Sequence, residues 1–354
     1  MTVYLHIGFP KTATTSIQIM FRDNVENLKK ASVCYPLIDK DFKQRYLKLF
    51  DTKSSNSAEA STGPLDISVR KMIDLAKSSN CKDVVLSCEE LTNFMMMQYN
   101  PENLKKMREA ISEIDTDIKI VVYVRNPSDF YLSILQEKLK RYSGVLDTSA
   151  FRTNFAKTIA VYEEVFETTA IVREFSPKKL FEGDIVKDFL HATGLNHVDV
   201  SSWKAESTNE SVSPEVLVAL DLARRQLKDT PGDLNYKFNE SEMLWRKLNN
   251  ISQELGFSRK PILYKSVHDT VCKENAYDAA ILRYKYGIDF SKGKFIDSSS
   301  DIPKSYHISE IQSLMDVNVE KSMFIWSKFV QQSIREIFRL REKIQNIPAQ
   351  AKTN

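Results

Sequence analysis

The sequence predicts an α/β fold with three layers, in which helices cover both faces of a central parallel sheet. Two apolar runs, Val84-Val85-Leu86 and Ile118 to Val124, have the length and β-branched composition of strands buried on both faces. Segments with apolar residues at spacings of three and four separate such runs, as expected of helices. Because helical crossovers join parallel strands and lie over the sheet, this alternation predicts the three layers.

The chain is predicted to begin with a strand, a loop and a helix. Val3, Leu5 and Ile7 lie at alternate positions and predict a short strand. A loop follows, because Gly8 and Pro10 interrupt regular structure. From position 14 or 15 onward, apolar residues at helical spacing predict a helix with one buried face: Ile17, Met20, Phe21, Val25 and Leu28.

Four helices and one more strand complete the predicted α/β alternation. Helices are predicted over 67–78, from Pro101 onward and after Pro127. Proline suits the first turn of a helix, because its missing N–H would have no partner there. A fourth strand is predicted at 170–172, and a helix over 184–191 follows it.

The predicted domain organisation is one α/β domain over 1–295 and a helical extension over 304–350. Within the domain, the small and polar stretch 51–62 is expected to be a flexible surface loop. Residues from about 205 to 290 are expected to form a helical subdomain, so the C-terminal part is largely helical. The segment 309–347 is predicted to be one long helix or two, and a homo-oligomer would form its interface there.

Composition and charge exclude several classes of protein. Lys and Arg number 50 and Asp and Glu 47, and this net charge of +3 does not suggest a nucleic-acid-binding protein. The longest apolar runs have strand length, which predicts no membrane span, and the N-terminus lacks a secretory signal, which predicts a cytoplasmic protein. No Cys-x-x-Cys or His-x-x-x-His pattern occurs, so we expect no metal and four reduced, buried cysteines.

The loop between the first strand and the first helix has the composition of an anion site. Its sequence is Gly8-Phe9-Pro10-Lys11-Thr12-Ala13-Thr14-Thr15-Ser16. A helix N-terminus exposes unpaired N–H groups and a partial positive charge, so a tight loop there can hold a phosphate with the help of a lysine and hydroxyls. The nucleotide-loop pattern Gly-x-x-x-x-Gly-Lys-Ser/Thr is absent, which argues against an ordinary ATPase or GTPase. By itself, the pattern also fits an ordinary loop lysine before threonine caps.

Residues 10–15, Pro-Lys-Thr-Ala-Thr-Thr, resemble the 5′-phosphosulfate loop of the sulfotransferases, whose usual pattern is Pro-Lys-(Ser/Thr)-Gly-Thr-Thr. Ala13 replaces the loop glycine, and alanine tolerates a positive φ less well. We therefore expect either a right-handed backbone at this position or a slightly altered loop. The resemblance implies a P-loop-like sulfotransferase architecture and a donor site formed by consecutive residues: Lys11, Thr12, Ala13, Thr14, Thr15 and Ser16.

A second segment resembles the same family. Sulfotransferases bind the 3′-phosphate of the donor with an arginine just after a buried strand and a serine eight positions later, which are here Arg125 and Ser133. Arginine offers a forked, permanently charged donor to phosphate, and serine adds a neutral one. Taken alone, Arg125 would more often be a salt-bridge residue at the end of a strand. Weaker similarity to bacterial carbohydrate-type sulfotransferases lies in 172–175, 183–190 and 209–211.

The resemblance implies transfer of a sulfuryl group from 3′-phosphoadenosine 5′-phosphosulfate to a hydroxyl or amine, by in-line transfer that needs no metal. The acceptor would be a saccharide or related metabolite bound beside the 205–290 subdomain. Lys11 would stabilise the leaving bridging oxygen and Glu89 would remove the acceptor proton. Glu89 follows the second predicted strand, and this position resembles that of a catalytic glutamate in heparan-type sulfotransferases. Glu90 and His6 are alternative candidates for the base. The acceptor and the choice between O- and N-sulfation stay open.

Two other functions fit the same fold. A nucleotide-dependent kinase of the P-loop type would use the loop for ATP, but it needs a lysine that follows a glycine and an aspartate for magnesium. A non-catalytic nucleotide-binding protein would keep the fold without needing Lys11 and Glu89. Binding of adenosine 3′,5′-bisphosphate in preference to ATP separates the first alternative from a sulfotransferase, and replacement of Lys11 and Glu89 separates the second.

Overall fold

A computed structural model of the chain describes most of its residues. The described ranges are 1–38, 41, 43–45, 47, 67–92, 101–203, 211–228, 238–291, 293–297 and 308–345. The predicted flexible loop at 51–62 lies outside them, as does 209–210 of the last landmark of sulfotransferase similarity.

Five parallel strands form the central sheet. They are β1 (Thr2–His6), β2 (Val33–Cys34), β3 (Asp83–Ser87), β4 (Ile118–Val124) and β5 (Ile171–Glu174). Their order across the sheet is β2-β3-β1-β4-β5, so β1 is central and pairs with β3 and β4. Val3 of β1 lies opposite Val84 on one side and Ile118 on the other. The predicted α/β fold with a central parallel sheet is confirmed.

Twelve α-helices lie within the described residues, and the arrangement fits a three-layer fold. They are α1 (Thr14–Asp23), α2 (Val25–Lys30), α3 (Ile67–Ser78), α4 (Pro101–Ser112), α5 (Pro127–Arg141), α6 (Phe155–Phe166), α7 (Ile185–Thr193), α8 (Pro214–Lys228), α9 (Phe238–Glu254), α10 (Lys265–Glu274), α11 (Ala276–Tyr286) and α12 (Val319–Gln345). A second, two-stranded parallel sheet joins β6 (Leu263–Tyr264) to β7 (Phe295–Ile296). The described residues after 211 are therefore largely helical, as predicted.

The chain forms two compact units that alternate along the sequence. The first, which holds the central sheet, comprises Met1–Phe130, Arg152–Asn209 and Glu274–Lys292, and the second comprises Tyr131–Phe151, Glu210–Lys273 and Gly293–Asn354. The division into a domain over 1–295 and an extension over 304–350 stays a prediction.

In the first unit, one face of the sheet packs against α1 and α7. Val85 and Tyr123 of the strands share a buried apolar cluster with Phe21 of α1 and Phe189 of α7. Every residue from Ile120 to Val124 is fully buried, as expected of a strand covered on both faces. This burial holds the strand ends, where the polar residues lie, in place.

Local capping signals mark both ends of α7. The Asp184 carboxylate accepts hydrogen bonds from the N–H groups of Val186 and Lys187 at the start of α7, and Gly194 follows its end with a φ of 75°. The predicted helical segment from 309 divides instead: a 3-10 turn over Glu310–Ser313 precedes α12. No helix in the described part of the chain combines the length and apolar character needed to cross a bilayer.

Candidate anion-binding site

The loop between β1 and α1 contains two left-handed residues. Lys11 has a φ of 62°, and Ala13, the residue that caps α1, has a φ of 63° and a ψ of 22°. The expectation of a right-handed backbone at Ala13 is thus wrong, because this alanine adopts the conformation that favours glycine. A non-glycine residue pays about 1–2 kcal/mol for that conformation. The loop geometry that a glycine would supply is therefore present, with strain.

Close contacts hold the loop against the end of β1. The Thr12 hydroxyl donates to the Phe9 carbonyl at 2.7 Å, and the Thr14 hydroxyl points to the same carbonyl at 3.5 Å. A Cβ on Gly8 would lie 2.2 Å from Oγ1 of Thr14, so only glycine fits there. The hydroxyls of Thr12 and Thr14 thus serve the loop itself, whereas Thr15 and Ser16 are half-buried.

The N-terminus of α1 has the geometry that suits an anion. Ala13, the N-cap residue, makes no side-chain capping bond, and among the described residues the helix's hydrogen bonds begin with the N–H groups of Ser16 and Ile17, which donate to the Ala13 carbonyl at 3.0 and 3.3 Å. The N–H groups of Thr14 and Thr15 precede these bonds and have no carbonyl one turn back within the helix. The helix dipole adds a partial positive charge, so a phosphate or sulfate group is the ligand that suits this end.

Arg125 follows β4, the strand beside β1, and reaches the loop. Its Nη1 donates to the carbonyl of Lys11 at 3.1 Å, and its guanidinium lies 5.5 Å from the centre of the Phe175 ring. Burial lowers the pKa of Arg125, and the negative charge of Asp129 offsets part of this effect. Among the described residues Arg125 forms no ion pair, so its interpretation as a strand-end salt-bridge residue is not supported there. The structure brings Lys11 and Arg125 together.

Glu89 lies on the other side of β1, in a 3-10 turn over Glu89–Thr92 that directly follows β3. The N–H of Cys88 donates to the His6 carbonyl at 3.1 Å, and the Thr92 hydroxyl donates to the Gly8 carbonyl at 2.7 Å. The turn is thereby attached to the first residue of the loop. Glu89 and its neighbour Glu90 are both half-buried.

His6, the alternative base, is a core residue. Its ring is fully buried, with Nδ1 2.9 Å from the Ser87 hydroxyl and the rings of Tyr123 and Phe189 edge-on at 5.9 and 5.5 Å. Burial lowers the pKa of His6 to about 3, so the ring is neutral near pH 7. Gln18 completes the group by donating to the Ser87 carbonyl at 2.9 Å. This cluster ties β1, β3 and α1 together beneath the loop.

Ser133 is the seventh residue of α5 and lies eight residues beyond Arg125. Its side chain is half-buried. The division of the chain falls between Phe130 and Tyr131, so Ser133 belongs to the second unit and Arg125 to the first. The contribution of Ser133 to a phosphate site stays a prediction.

Sequence reasoning missed a segment that returns to the sheet after α11. The N–H of Ser291 donates to the Glu174 carboxylate at 2.9 Å, and its carbonyl accepts from the Asn126 amide at 2.9 Å. Asn126 and Glu174 lie at the carboxyl ends of β4 and β5, so this segment borders the Arg125 region. The local sequence did not signal this pairing, because the burial of Glu174, which makes its carboxylate require a donor, is a property of the folded chain.

Two of the weaker landmarks of sulfotransferase similarity form a structural contact instead. Arg173 Nε donates to the fully buried Asp188 carboxylate at 3.0 Å, and the Tyr123 hydroxyl and Phe181 N–H each donate to it at 2.8 Å. Burial alone would raise the pKa of Asp188, but these hydrogen bonds outweigh it and lower the pKa. The segments 172–175 and 183–190 thus hold α7 against the sheet.

Together these residues define a parallel α/β protein with a candidate anion-binding loop at the carboxyl ends of its strands. Strands β2 and β3 lie on one side of β1, and β4 and β5 lie on the other. The connection that leaves β1 and the connection that leaves β4 therefore lead in opposite directions, and they diverge between these two strands. Ligands of open α/β sheets bind at such a point. Comparisons with protein-family models, curated proteins and solved structures found no match for this chain.

Proposed function

We propose that this protein is a sulfotransferase that uses 3′-phosphoadenosine 5′-phosphosulfate as donor and sulfates a hydroxyl or amine of a saccharide or related metabolite. The observation that carries the proposal is the hydrogen bond from Arg125 to the Lys11 carbonyl. It joins two segments that lie 114 residues apart in the chain and that each resemble a phosphate-binding part of the family.

The charges of the site suit a donor with two separate anionic groups. The N–H groups at the start of α1 and the Lys11 ammonium would hold the 5′-phosphosulfate. Arg125, whose charge no carboxylate among the described residues neutralises, would hold the 3′-phosphate through a charge-assisted hydrogen bond. An ordinary nucleoside triphosphate has no 3′-phosphate to which Arg125 could bind.

The proposed mechanism assigns one role to each of two side chains. The bound donor supplies an activated sulfuryl group. Glu89 accepts the proton of the acceptor hydroxyl or amine as the new bond to sulfur forms. Lys11 and the N-terminus of α1 stabilise the negative charge that builds on the bridging oxygen as its bond to sulfur breaks. The hydrogen bond from Thr92 to the Gly8 carbonyl connects the turn that carries Glu89 to the loop that carries Lys11.

The experiment is a calorimetric titration of the full chain, without metal, with adenosine 3′,5′-bisphosphate, AMP, ATP and ADP. We expect the bisphosphate to bind most tightly. Arg125→Ala should weaken it at least about 20-fold, which corresponds to loss of a charged hydrogen bond worth about 2 kcal/mol, and should change AMP affinity by less than about 3-fold. Arg108→Ala is the matched control, because Arg108 belongs to the same unit and pairs with Glu167 instead.

Three outcomes would contradict the proposal or part of it. Equal affinity for ATP and the bisphosphate would favour the kinase. Equal weakening of AMP and bisphosphate binding by Arg125→Ala would mean that Arg125 only supports the loop. Glu89→Gln should leave bisphosphate affinity unchanged and abolish sulfate transfer from labelled donor in an acceptor screen, and transfer at the wild-type rate would exclude Glu89 as the base.

A further inference from the structure

A cysteine, a histidine and an aspartate lie in series on the surface of α10. Sγ of Cys272 lies 3.8 Å from Nε2 of His268, within hydrogen-bonding distance for sulfur. Nδ1 of the same ring lies 3.0 Å from Oδ1 of Asp269. The sequence contains the signal, since residues four apart on a helix are neighbours. This group of three residues, the Cys272 triad, is distant in sequence from the anion-binding loop and plays no part in the proposed transfer.

The hydrogen bonds of the Cys272 triad orient the imidazole toward the thiol. Because Asp269 accepts from the protonated Nδ1, Nε2 presents its lone pair to Sγ and can take the thiol proton. Lys265 also pairs with the Asp269 carboxylate, and the hydrogen bonds from Lys265 and His268 lower the pKa of Asp269. The carboxylate is therefore ionised and can accept the hydrogen bond from Nδ1 of His268.

The element packed against the triad adds an aromatic wall and one further charge. The Phe295 ring of β7 lies 4.8 Å from the His268 ring, and the Lys265 ammonium lies 5.6 Å from the Phe295 centre. Asp297, which follows β7, raises the pKa of Lys265 together with the stronger effect of Asp269. Lys265 thus feels two carboxylates, and the His268 imidazole lies within reach of Sγ to exchange a proton with it.

The other three cysteines have surroundings that differ from those of Cys272. Burial raises the pKa of the Cys34 thiol to about 11 and that of Cys88 to about 12. Cys81 is buried and its thiol faces the Ser79 carbonyl at 3.7 Å. Cys272 is half-buried, as is Cys34, which corrects the expectation of four buried thiols. Reactivity depends on the thiolate and on access, and Cys272 combines a proton acceptor with access.

A metal ion fits this place less well. Cys272 and His268 supply two ligands, whereas structural and catalytic zinc sites take three or four from the protein. Within the part of the chain that the structure describes, no group of three or more His, Cys, Asp or Glu side chains is arranged to hold a metal ion.

We propose that Cys272 is a modification site that undergoes thiol–disulfide exchange with low-molecular-weight disulfides, with His268 as proton acceptor and Asp269 as positioning residue. The thiol proton moves to Nε2 of His268, and the thiolate attacks one sulfur of the small disulfide. The S–S bond of the small disulfide breaks as a new one forms to Sγ. The departing thiolate leaves with the electron pair and takes up the proton, and a free thiol reverses the reaction.

The test is a timed exposure of the full chain to oxidised glutathione, quenched with acid, with mixed disulfides counted at each cysteine by peptide mass spectrometry. At pH 7 we expect Cys272 to react at least about 10-fold faster than each of the other three cysteines. His268→Gln should slow Cys272 about 10-fold and move the midpoint of its rate against pH up toward about 8.5, the value of an ordinary thiol. Asp269→Asn should move it part of the way.

The controls separate activation from exposure. His191→Gln in α7, where the ring stacks on Phe181, should leave the rate at Cys272 unchanged. In denaturant all four cysteines should react alike, which checks that each peptide is detected equally. A native rate at Cys272 no faster than at the other three cysteines, or an unchanged pH profile in His268→Gln, would overturn the proposal.

Discussion

Two arginines lie at the carboxyl ends of neighbouring strands of the central sheet, and their surroundings differ. Arg173 of β5 donates to the buried Asp188 carboxylate, and this hydrogen bond raises its pKa. Arg125 after β4 donates to a backbone carbonyl, and burial lowers its pKa. Among the described residues, the arginine at one strand end thus pairs with a carboxylate, and the arginine at the next strand end does not.

Under the proposed function, this difference separates the structural role of Arg173 from the binding role of Arg125. A buried ion pair contributes to the folded state but leaves no charge for a ligand. A half-buried cation without a counter-ion is costly for the fold and becomes favourable when an anion binds. The loop beside Arg125 also stores backbone strain at Lys11 and Ala13, and strain of this kind concentrates at binding sites.

The sharpest way to test the comparison is the same substitution at both arginines, beginning with Arg173→Met. It leaves the fully buried Asp188 without its cation, so the free energy of unfolding should fall by about 3 kcal/mol, measured by urea titration at pH 7. The hydrogen bonds keep the folded pKa of Asp188 below its unfolded value, so their stabilisation is present above about pH 4 and is lost as pH falls through the folded pKa. The difference in the free energy of unfolding between wild type and Arg173→Met should therefore decrease at acidic pH.

Ala13→Gly tests the strain in the loop beside Arg125. Glycine adopts a φ of 63° without cost, so the free energy of unfolding should rise by about 0.5–1 kcal/mol. Ala110→Gly in the right-handed α4 is the matched control and should lower it by about 1 kcal/mol. If Ala13→Gly destabilises the protein as Ala110→Gly does, the loop carries no such strain.

Arg125→Met should have the smallest effect on stability. It removes one hydrogen bond to a carbonyl and a charge that pairs with no carboxylate of the described residues, so the free energy of unfolding should change by less than about 1 kcal/mol in the same urea titration. A loss as large as that of Arg173→Met would show that Arg125 has a counter-ion in the folded protein and would break the comparison.

Local signals were enough to place much of the first unit. The strand over Ile118–Val124 and the helix over Ile67–Ser78 have the bounds that the apolar pattern predicts, and α4 begins at Pro101. These signals depend on residues close in sequence. β2 was missed because a strand of two residues has no periodicity and exists only through its pairing with β3.

The sequence by itself determined the alternation of strands and helices, and so the parallel sheet and the loop at the start of α1, because periodicity and punctuation are local properties. The candidate residues Lys11, Glu89 and Arg125 were placed at strand ends for the same reason. The folded structure was needed to show that Ala13 is left-handed and that, among the described residues, Arg173 pairs with a carboxylate and Arg125 does not. Those outcomes depend on contacts between residues far apart in the chain, and a linear sequence does not contain the distances that set electrostatic energies.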